Sequence, residues 1–305
     1  MADYRCGIPF VLPAVNFFMM SSKTFQSRRK ASLGRSAFIE VEPNVRLHIT
    51  DMGAGQPVVL IPGYPFGAAM YEYTIHALVA AGYRAIGVDT RGFGLSDKPE
   101  GGYNYDVFAD DLKVVMETLG LENAVLGGHS MGGAYSLHFA AKYGGEHLSG
   151  LALFSAAAPK HTKAADYPYP LFTKEDISSW LELLKVNRPA LTDTVGERFV
   201  LPTNTLTPGY FAWLGSLGVT ASPYAMVKAL TALRDEDLRE DLAKIKVPTL
   251  ILHAKDDAIA AYALAEQMHA GIKNATLVTF DKSGHGTFIE EREKFNAELL
   301  KFLKR

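Results

Sequence analysis

The sequence predicts an α/β fold: a mostly parallel central sheet with helices on both faces and an inserted helical cap. Three observations carry that expectation. From Ala37 onward, short apolar runs alternate with longer amphipathic stretches. One of those runs, Ala124-Val125-Leu126, breaks at glycines and passes into a helical pattern, Ala134, Leu137, His138 and Ala141. Between about Ala157 and Arg234 the strand signal vanishes, and then it returns.

The elements follow in order. Phe38-Ile39-Glu40-Val41 and Arg46-Leu47-His48-Ile49-Thr50 alternate apolar with polar residues around a Pro43-Asn44 turn, which reads as an antiparallel hairpin. Pro57-Val58-Val59-Leu60-Ile61 is continuously apolar, the mark of a central strand buried on both faces. Tyr71 to Ala81 is helical in pattern and ends at Gly82. Arg84 to Val88 is the next strand. It runs into a loop, Asp89 to Asp97, in which Asp89, Arg91 and Asp97 are expected to brace the backbone by ion pairs and hydrogen bonds. A helix over Tyr105–Leu119 stops at Gly120, and Leu148–Phe154 is another inner strand. Within the strand-free region, Asp176–Lys185 and Ser222–Leu233 look helical. Strands Pro248–His253 and Ala275–Phe280 follow, with a helix from Ala260 between them and an amphipathic helix over Ile289–Leu303 at the end. The expected division is an N-terminal extension at 1–37, a core at 38–156 and 235–305, and a cap at 157–234.

Composition narrows the class. Of 305 residues, 48% are hydrophobic and 21% charged, ordinary for a globular protein with a large core. A net charge of −2 supplies no electrostatic reason for nucleic acid or acidic membranes as partners. Cys6 is the lone cysteine, so no internal disulfide can form. No apolar run reaches the roughly 18 to 20 residues of a membrane helix. There is no C-x-x-C, H-E-x-x-H or EF-hand pattern, hence no case for a metal. The cytoplasm is the expected location, and the chain is compatible with a monomer or a homo-oligomer.

The chemistry centres on Gly128-His129-Ser130-Met131-Gly132, a G-x-S-x-G pattern between strand and helix. A serine on so tight a turn takes strained backbone angles, and the helix after it points amides at any anion formed there. A serine hydroxyl is a poor nucleophile at neutral pH and needs a base. Nine histidines are candidates. His48 belongs to a strand, and His76, His138, His147 and His269 lie in or beside predicted helices. His129 is expected to point away from Ser130. His285 stands apart: it follows the last strand in a glycine-flanked loop, and an imidazole near its usual pKa of about 6.5 can take and return a proton. An acid follows the Pro248–His253 strand at Asp256 or Asp257. Two backbone amides are needed for the oxyanion, and Met131 and Tyr64 are the candidates. Phe66, Tyr169, Trp180 and Trp213 are the expected lining of an apolar substrate pocket.

With these residues placed, the chain from about Phe38 to Arg305 resembles the α/β-hydrolase superfamily, and within it the cofactor-free haloperoxidases, also described as arylesterases and perhydrolases. The likeness runs through Val58–Pro65, Tyr83–Ser96, Phe108–Leu112, His129–Gly133, Asp241–Leu250 and Gly284–Gly286. It implies Ser130 as nucleophile, Asp257 rather than Asp256 as acid, His285 as base, and Tyr64 and Met131 as oxyanion donors. It also implies an acyl-enzyme route for small-molecule esters, peracid formation when peroxide replaces water, and no cofactor, neither haem nor metal. Two departures bear on substrate choice. Pro62 stands where the family usually has histidine, and Ala254 and Ala261 replace its usual glycine and proline. A lyase, a C–C bond hydrolase or a lactonase would use the same triad, and Lys160, Lys163 or Lys174 beside Ser130 would favour the first two. A non-catalytic binding member would show a broken triad. An Asp nucleophile, as in epoxide hydrolases and dehalogenases, is absent.

The first 37 residues hold no acid between Asp3 and Glu40 but six basic side chains, Arg5, Lys23, Arg28, Arg29, Lys30 and Arg35. This reads as a disordered tail or an early start codon, with an organellar or secretory segment kept open. A chain beginning near Ser36 is expected to keep full activity, checked by ester turnover; loss of turnover with intact folding would refute it.

Overall fold

The computed structural model describes residues 35–204 and 206–305. Residues 1–34, most of the expected extension, lie outside the described residues. The sheet comprises β1 (Arg35–Glu42), β2 (Val45–Gly53), β3 (Pro57–Ile61), β4 (Arg84–Val88), β5 (Ala124–His129), β6 (Leu148–Phe154), β7 (Thr249–Ala254) and β8 (Ala275–Phe280). Their spatial order is β1-β2-β4-β3-β5-β6-β7-β8. Only β2 runs against its neighbours, β1 and β4; every other pair is parallel. The apolar runs explain why. Val59, Ile61, Leu126, Leu151 and Leu153 face one buried cluster, while Val58, Leu60, Val125, Ala152 and Phe154 face another. Alternate side chains of each inner strand therefore fill opposite layers, and none needs to be polar.

Helices cover both faces: α1 (Glu72–Ala80), α2 (Tyr105–Thr118) and α3 (Met131–Lys142) come before the cap. Asn104 caps α2, its side chain accepting from the Val107 amide at 2.9 Å. Four helices, α4 (Lys174–Val186), α5 (Arg188–Phe199), α6 (Pro208–Val219) and α7 (Pro223–Asp235), fall between β6 and β7. The patterns at 176–185 and 222–233 correspond to α4 and α7, and α4 opens on a Thr173/Asp176 capping box. Helices α5 and α6 have no clear apolar stripe, and α6 carries Gly209, Gly215 and Gly218. Their readable signals are a capping Asn187 or Thr207 followed by proline in the first turn.

After β7 come α8 (Tyr262–Gly271), α9 (Thr287–Glu290) and α10 (Arg292–Leu303). The helix expected over 289–303 is thus broken. At Glu291 the backbone leaves helical angles, and its carboxylate accepts from the Lys282 amide and the Ser283 hydroxyl, both at 2.9 Å. The 89–97 loop is braced as its charges suggest. Asp89 accepts from the Ala68 and Leu95 amides at 2.6 and 2.8 Å, and Asp97 pairs with Arg46. Arg91 reaches Asp111 on α2 at 2.6 Å, so it ties the loop to a helix.

On the outer face of α3, His138 joins Asp241 at 2.7 Å and Asp106 at 3.1 Å. The Asp241 hydrogen bond, opposed by burial and aided by Asp106, raises the His138 pKa. A raised folded-state value stabilises below the unfolded value and fades as pH rises through the folded one. His138→Gln is therefore expected to cost about 1 kcal/mol near pH 6 and less near pH 9, read by urea denaturation at both values. An equal cost at both would show that the charge plays no part.

Candidate active site

The crevice comes from topology. Strands β4 and β5 flank β3 on opposite sides, so the chain turns opposite ways after β3 and β5, and Ile61 at the end of β3 pairs with Gly128 of β5. The loop after β3 carries Pro62-Gly63-Tyr64-Pro65, and the turn after β5 carries Ser130. Ser130 has φ 54° and ψ −121°, a conformation costing about 1–3 kcal/mol for a residue with a side chain. Its amide donates to the Phe154 carbonyl at 3.0 Å, and its carbonyl accepts from Ala134 and Ala157 at 3.1 and 3.0 Å. A Cβ on Gly128 would sit 2.4 Å from the Gly132 oxygen, and one on Gly132 would sit 2.3 Å from the Pro62 oxygen. Both positions of the motif must therefore lack a side chain. Helix α3 begins at Met131, three residues earlier than the sequence pattern suggests, so the Met131 amide lies in its free first turn.

The residues expected as acid and base meet directly. His285 Nδ1 donates to Asp257 Oδ2 at 2.8 Å, and both side chains are buried. Asp257 Oδ1 accepts from the Ile259 and Ala260 amides at 2.9 and 2.8 Å, whereas Asp256 is exposed. Burial pushes the Asp257 carboxyl up, but the charge and hydrogen bond of His285, with His253 and the Ala260 amide, hold it below its ordinary value. With Nδ1 donating to a carboxylate, His285 Nε2 is left as the acceptor. Ser130 and His285 border one small cavity of about 30 Å³, with no direct hydrogen bond between them. Such contacts often tighten only when substrate binds.

Sequence reasoning missed two supports. His129 Nε2 donates to the His285 carbonyl at 3.0 Å, with the two rings 4.5 Å apart. Burial, reinforced by His285, pushes the His129 pKa well down, so it stays neutral. His253 Nε2 donates to the Ala260 carbonyl at 2.7 Å and lies 3.4 Å from Asp257, bracing the acid turn. The signal was position: each is the last or next-to-last residue of a strand that ends at the site.

The expected pocket residues divide. Trp180 lines the cavity with Ser130, beside Leu230, Leu233 and Ile259. Phe66 lines a second cavity of about 560 Å³, and Tyr64, Leu191, Val195 and Phe199 form the wall common to both. Tyr169 and Trp213 line neither. Tyr169 is 42% exposed and packs on Tyr167, and Trp213 packs on Tyr210 and Tyr73. Aromatic content marks the cap, but which rings turn inward depends on helix phase, which their spacing did not reveal.

Residues 56–292 match the family model described as the alpha/beta hydrolase fold. The chain belongs to the α/β-hydrolase family. This α/β-hydrolase is 44% identical over 265 residues to the AB hydrolase superfamily protein YisY of Bacillus subtilis, across 87% of this chain and 98% of that one. Among solved structures it is similar to the esterase EaEST from Exiguobacterium antarcticum, with TM-score 0.86 and 39% identity over 89% of this chain and 100% of that one. It is also similar to a bromoperoxidase from Bacillus anthracis, with TM-score 0.86 and 32% identity over 89% and 100%. The relatives thus include an esterase and a haloperoxidase, the two activities that the sequence resemblance named.

Asp257→Asn is expected to lower kcat by about 10⁴-fold by favouring the wrong imidazole tautomer. Asp256→Asn should leave it within about twofold, since the group is exposed and surface changes rarely matter. Steady-state kinetics on an aryl ester compare the two; similar losses would dismiss this choice of acid.

Proposed function

We propose that this α/β-hydrolase is a serine hydrolase of small carboxylic esters that works through an acyl-enzyme. One observation carries the reading: His285, paired with the buried Asp257, borders the same cavity as Ser130 on its strained turn. The Ser130 hydroxyl attacks the ester carbonyl as His285 Nε2 takes its proton, and Asp257 steadies the resulting imidazolium. The Tyr64 and Met131 amides receive the oxyanion; loss of one such donor typically costs about 2.7–4 kcal/mol. Collapse expels the alcohol, which takes the proton back from His285. Water, activated by the same base, then releases the carboxylic acid. Peroxide in place of water would release a peracid, and the likeness to a bromoperoxidase supports that side reaction.

The walls favour an apolar acyl substrate, because Trp180, Leu230, Leu233 and Ile259 line the cavity without a Lys or Arg. That also weighs against lyase or C–C bond chemistry. Lys160 is buried against Asp237 at 3.2 Å, Lys174 pairs with Asp235 at the surface, and Lys163 is exposed. No helix of the described residues is long and apolar enough to cross a membrane.

Labelling with a fluorophosphonate tests nucleophile and base together. The protein should label stoichiometrically, Ser130→Ala should not label, and His285→Ala should label at least about 10³-fold more slowly. Undiminished labelling of Ser130→Ala, seen by mass spectrometry of the intact chain, would refute the reading.

A further inference from the structure

His161 shares the cavity of Ser130 and His285 but has no part in the proton relay. Its side chain is 2% exposed, and neither ring nitrogen meets a protein hydrogen-bond partner. The neighbouring histidines differ. His129 and His253 each commit Nε2 to a backbone carbonyl, those of His285 and Ala260. Buried polar side chains are nearly always paired. Two orphan nitrogens on the wall of a ligand cavity mark a partner that the protein itself does not supply.

The ring is held in place. Phe172 packs against it with centroids 5.7 Å apart. On one side the Ala157 amide donates to the Ser130 carbonyl at 3.0 Å, and the Leu238 amide donates to the Pro159 carbonyl at 2.8 Å. On the other, Thr162 Oγ1 donates to the Arg234 carbonyl at 2.8 Å. Lys160 is pinned by Asp237. The segment is thus tied both to the nucleophile turn and to the end of α7, and the distance from His161 to the reacting serine is set by the fold.

The environment selects the chemistry. Burial, with His285 nearby, pushes the His161 pKa down to about 4, so the ring is neutral at neutral pH and offers one donor and one acceptor. Apart from Ser130, His285 and Tyr64, whose buried hydroxyl also lacks a protein partner, the wall is apolar, with no Lys or Arg to receive a carboxylate or phosphate. A neutral oxygen fits: an ether, a carbonyl or a hydroxyl.

We propose that His161 is a substrate-positioning residue that hydrogen-bonds a second, uncharged oxygen of the ester, a few atoms from the scissile carbonyl. The proposal rests on the serine-hydrolase reading for the identity of the ligand as an ester. The oxygen can belong to the acyl chain or to the alcohol, and one experiment separates these sources.

Ser130→Ala protein holds an ester without turning it over, so binding is read apart from chemistry. NMR titrations compare phenyl acetate with phenyl methoxyacetate, which adds an acyl-side oxygen, and with 2-methoxyphenyl acetate, which adds an alcohol-side one. One oxygenated ester should bind at least about tenfold more tightly than phenyl acetate, the worth of a buried hydrogen bond. Which one does so assigns the oxygen. In Ser130→Ala/His161→Phe the ratio should fall to about one, and His161→Asn or His161→Gln should restore part of it. Thermal melts establish folding; should His161→Phe not fold, His161→Leu replaces it. The absence of any preference in Ser130→Ala, or a preference that survives His161→Phe or His161→Leu, would overturn the proposal. A failure of the hydrolase reading would appear separately, as a Ser130 that does not label.

Discussion

Asp257 keeps a carboxylate with no side-chain exposure beyond the end of β7, and a buried charge persists only where hydrogen bonds replace water. Four groups surround it here. The Ile259 and Ala260 amides occupy one oxygen, and His285 and His253 approach the other. This sets the orientation of His285, since Nδ1 must face the charge and Nε2 must face the cavity. The rest of the loop answers to that demand. Glu291 accepts from Lys282 and Ser283, Glu290 accepts from the Gly284 amide at 2.7 Å, and His129 holds the His285 carbonyl.

The same loop anchors the cap. Glu290 accepts from the Leu201 amide at 2.8 Å with its other oxygen, and the Gly286 amide donates to the Phe199 carbonyl at 2.9 Å. The Phe199 ring packs against both His285 and His129. Phe199 also belongs to the wall between the small cavity that Ser130 and His285 line and the larger one lined by α5 and α6. The residues that shape access to Ser130 are therefore seated on the loop that carries His285. A change at the end of α5 reaches the site through the Gly286–Phe199 backbone hydrogen bond, the Leu201–Glu290 hydrogen bond and the edge-on contacts of the Phe199 ring with His285 and His129.

Much of this was legible in the chain. Inner strands announce themselves as apolar runs because both faces are covered, and β3, β4 and β6 coincide with those runs, while the edge strand β8 coincides with its expected span. The Gly128-to-Gly132 spacing was readable because the turn forbids side chains at both ends, a local steric rule that needs no tertiary contact. Helices α5 and α6 were not legible, because their apolar residues serve two sides at once, the cap's own packing and the cavity walls. Tyr169 and Trp213 show the same limit from the other direction. Both are aromatic and both lie in the cap, yet helix and loop phase turns them away from Ser130.

By itself, the sequence determined the alternation of strand and helix, the strained turn at Ser130, and a histidine and an aspartate at the ends of late strands. These depend on periodicity and backbone sterics, which act over a few residues. The family resemblance pointed to Asp257 over Asp256, but tertiary structure alone decided the burial that separates the two, that His129 and His253 brace the His285–Asp257 pair, and that His161 lies unpaired in the cavity wall. Each of those outcomes is a contact between residues distant in the chain or a difference in burial between adjacent ones. Burial and orientation are set only once the sheet edge and the cap have closed around the same small space.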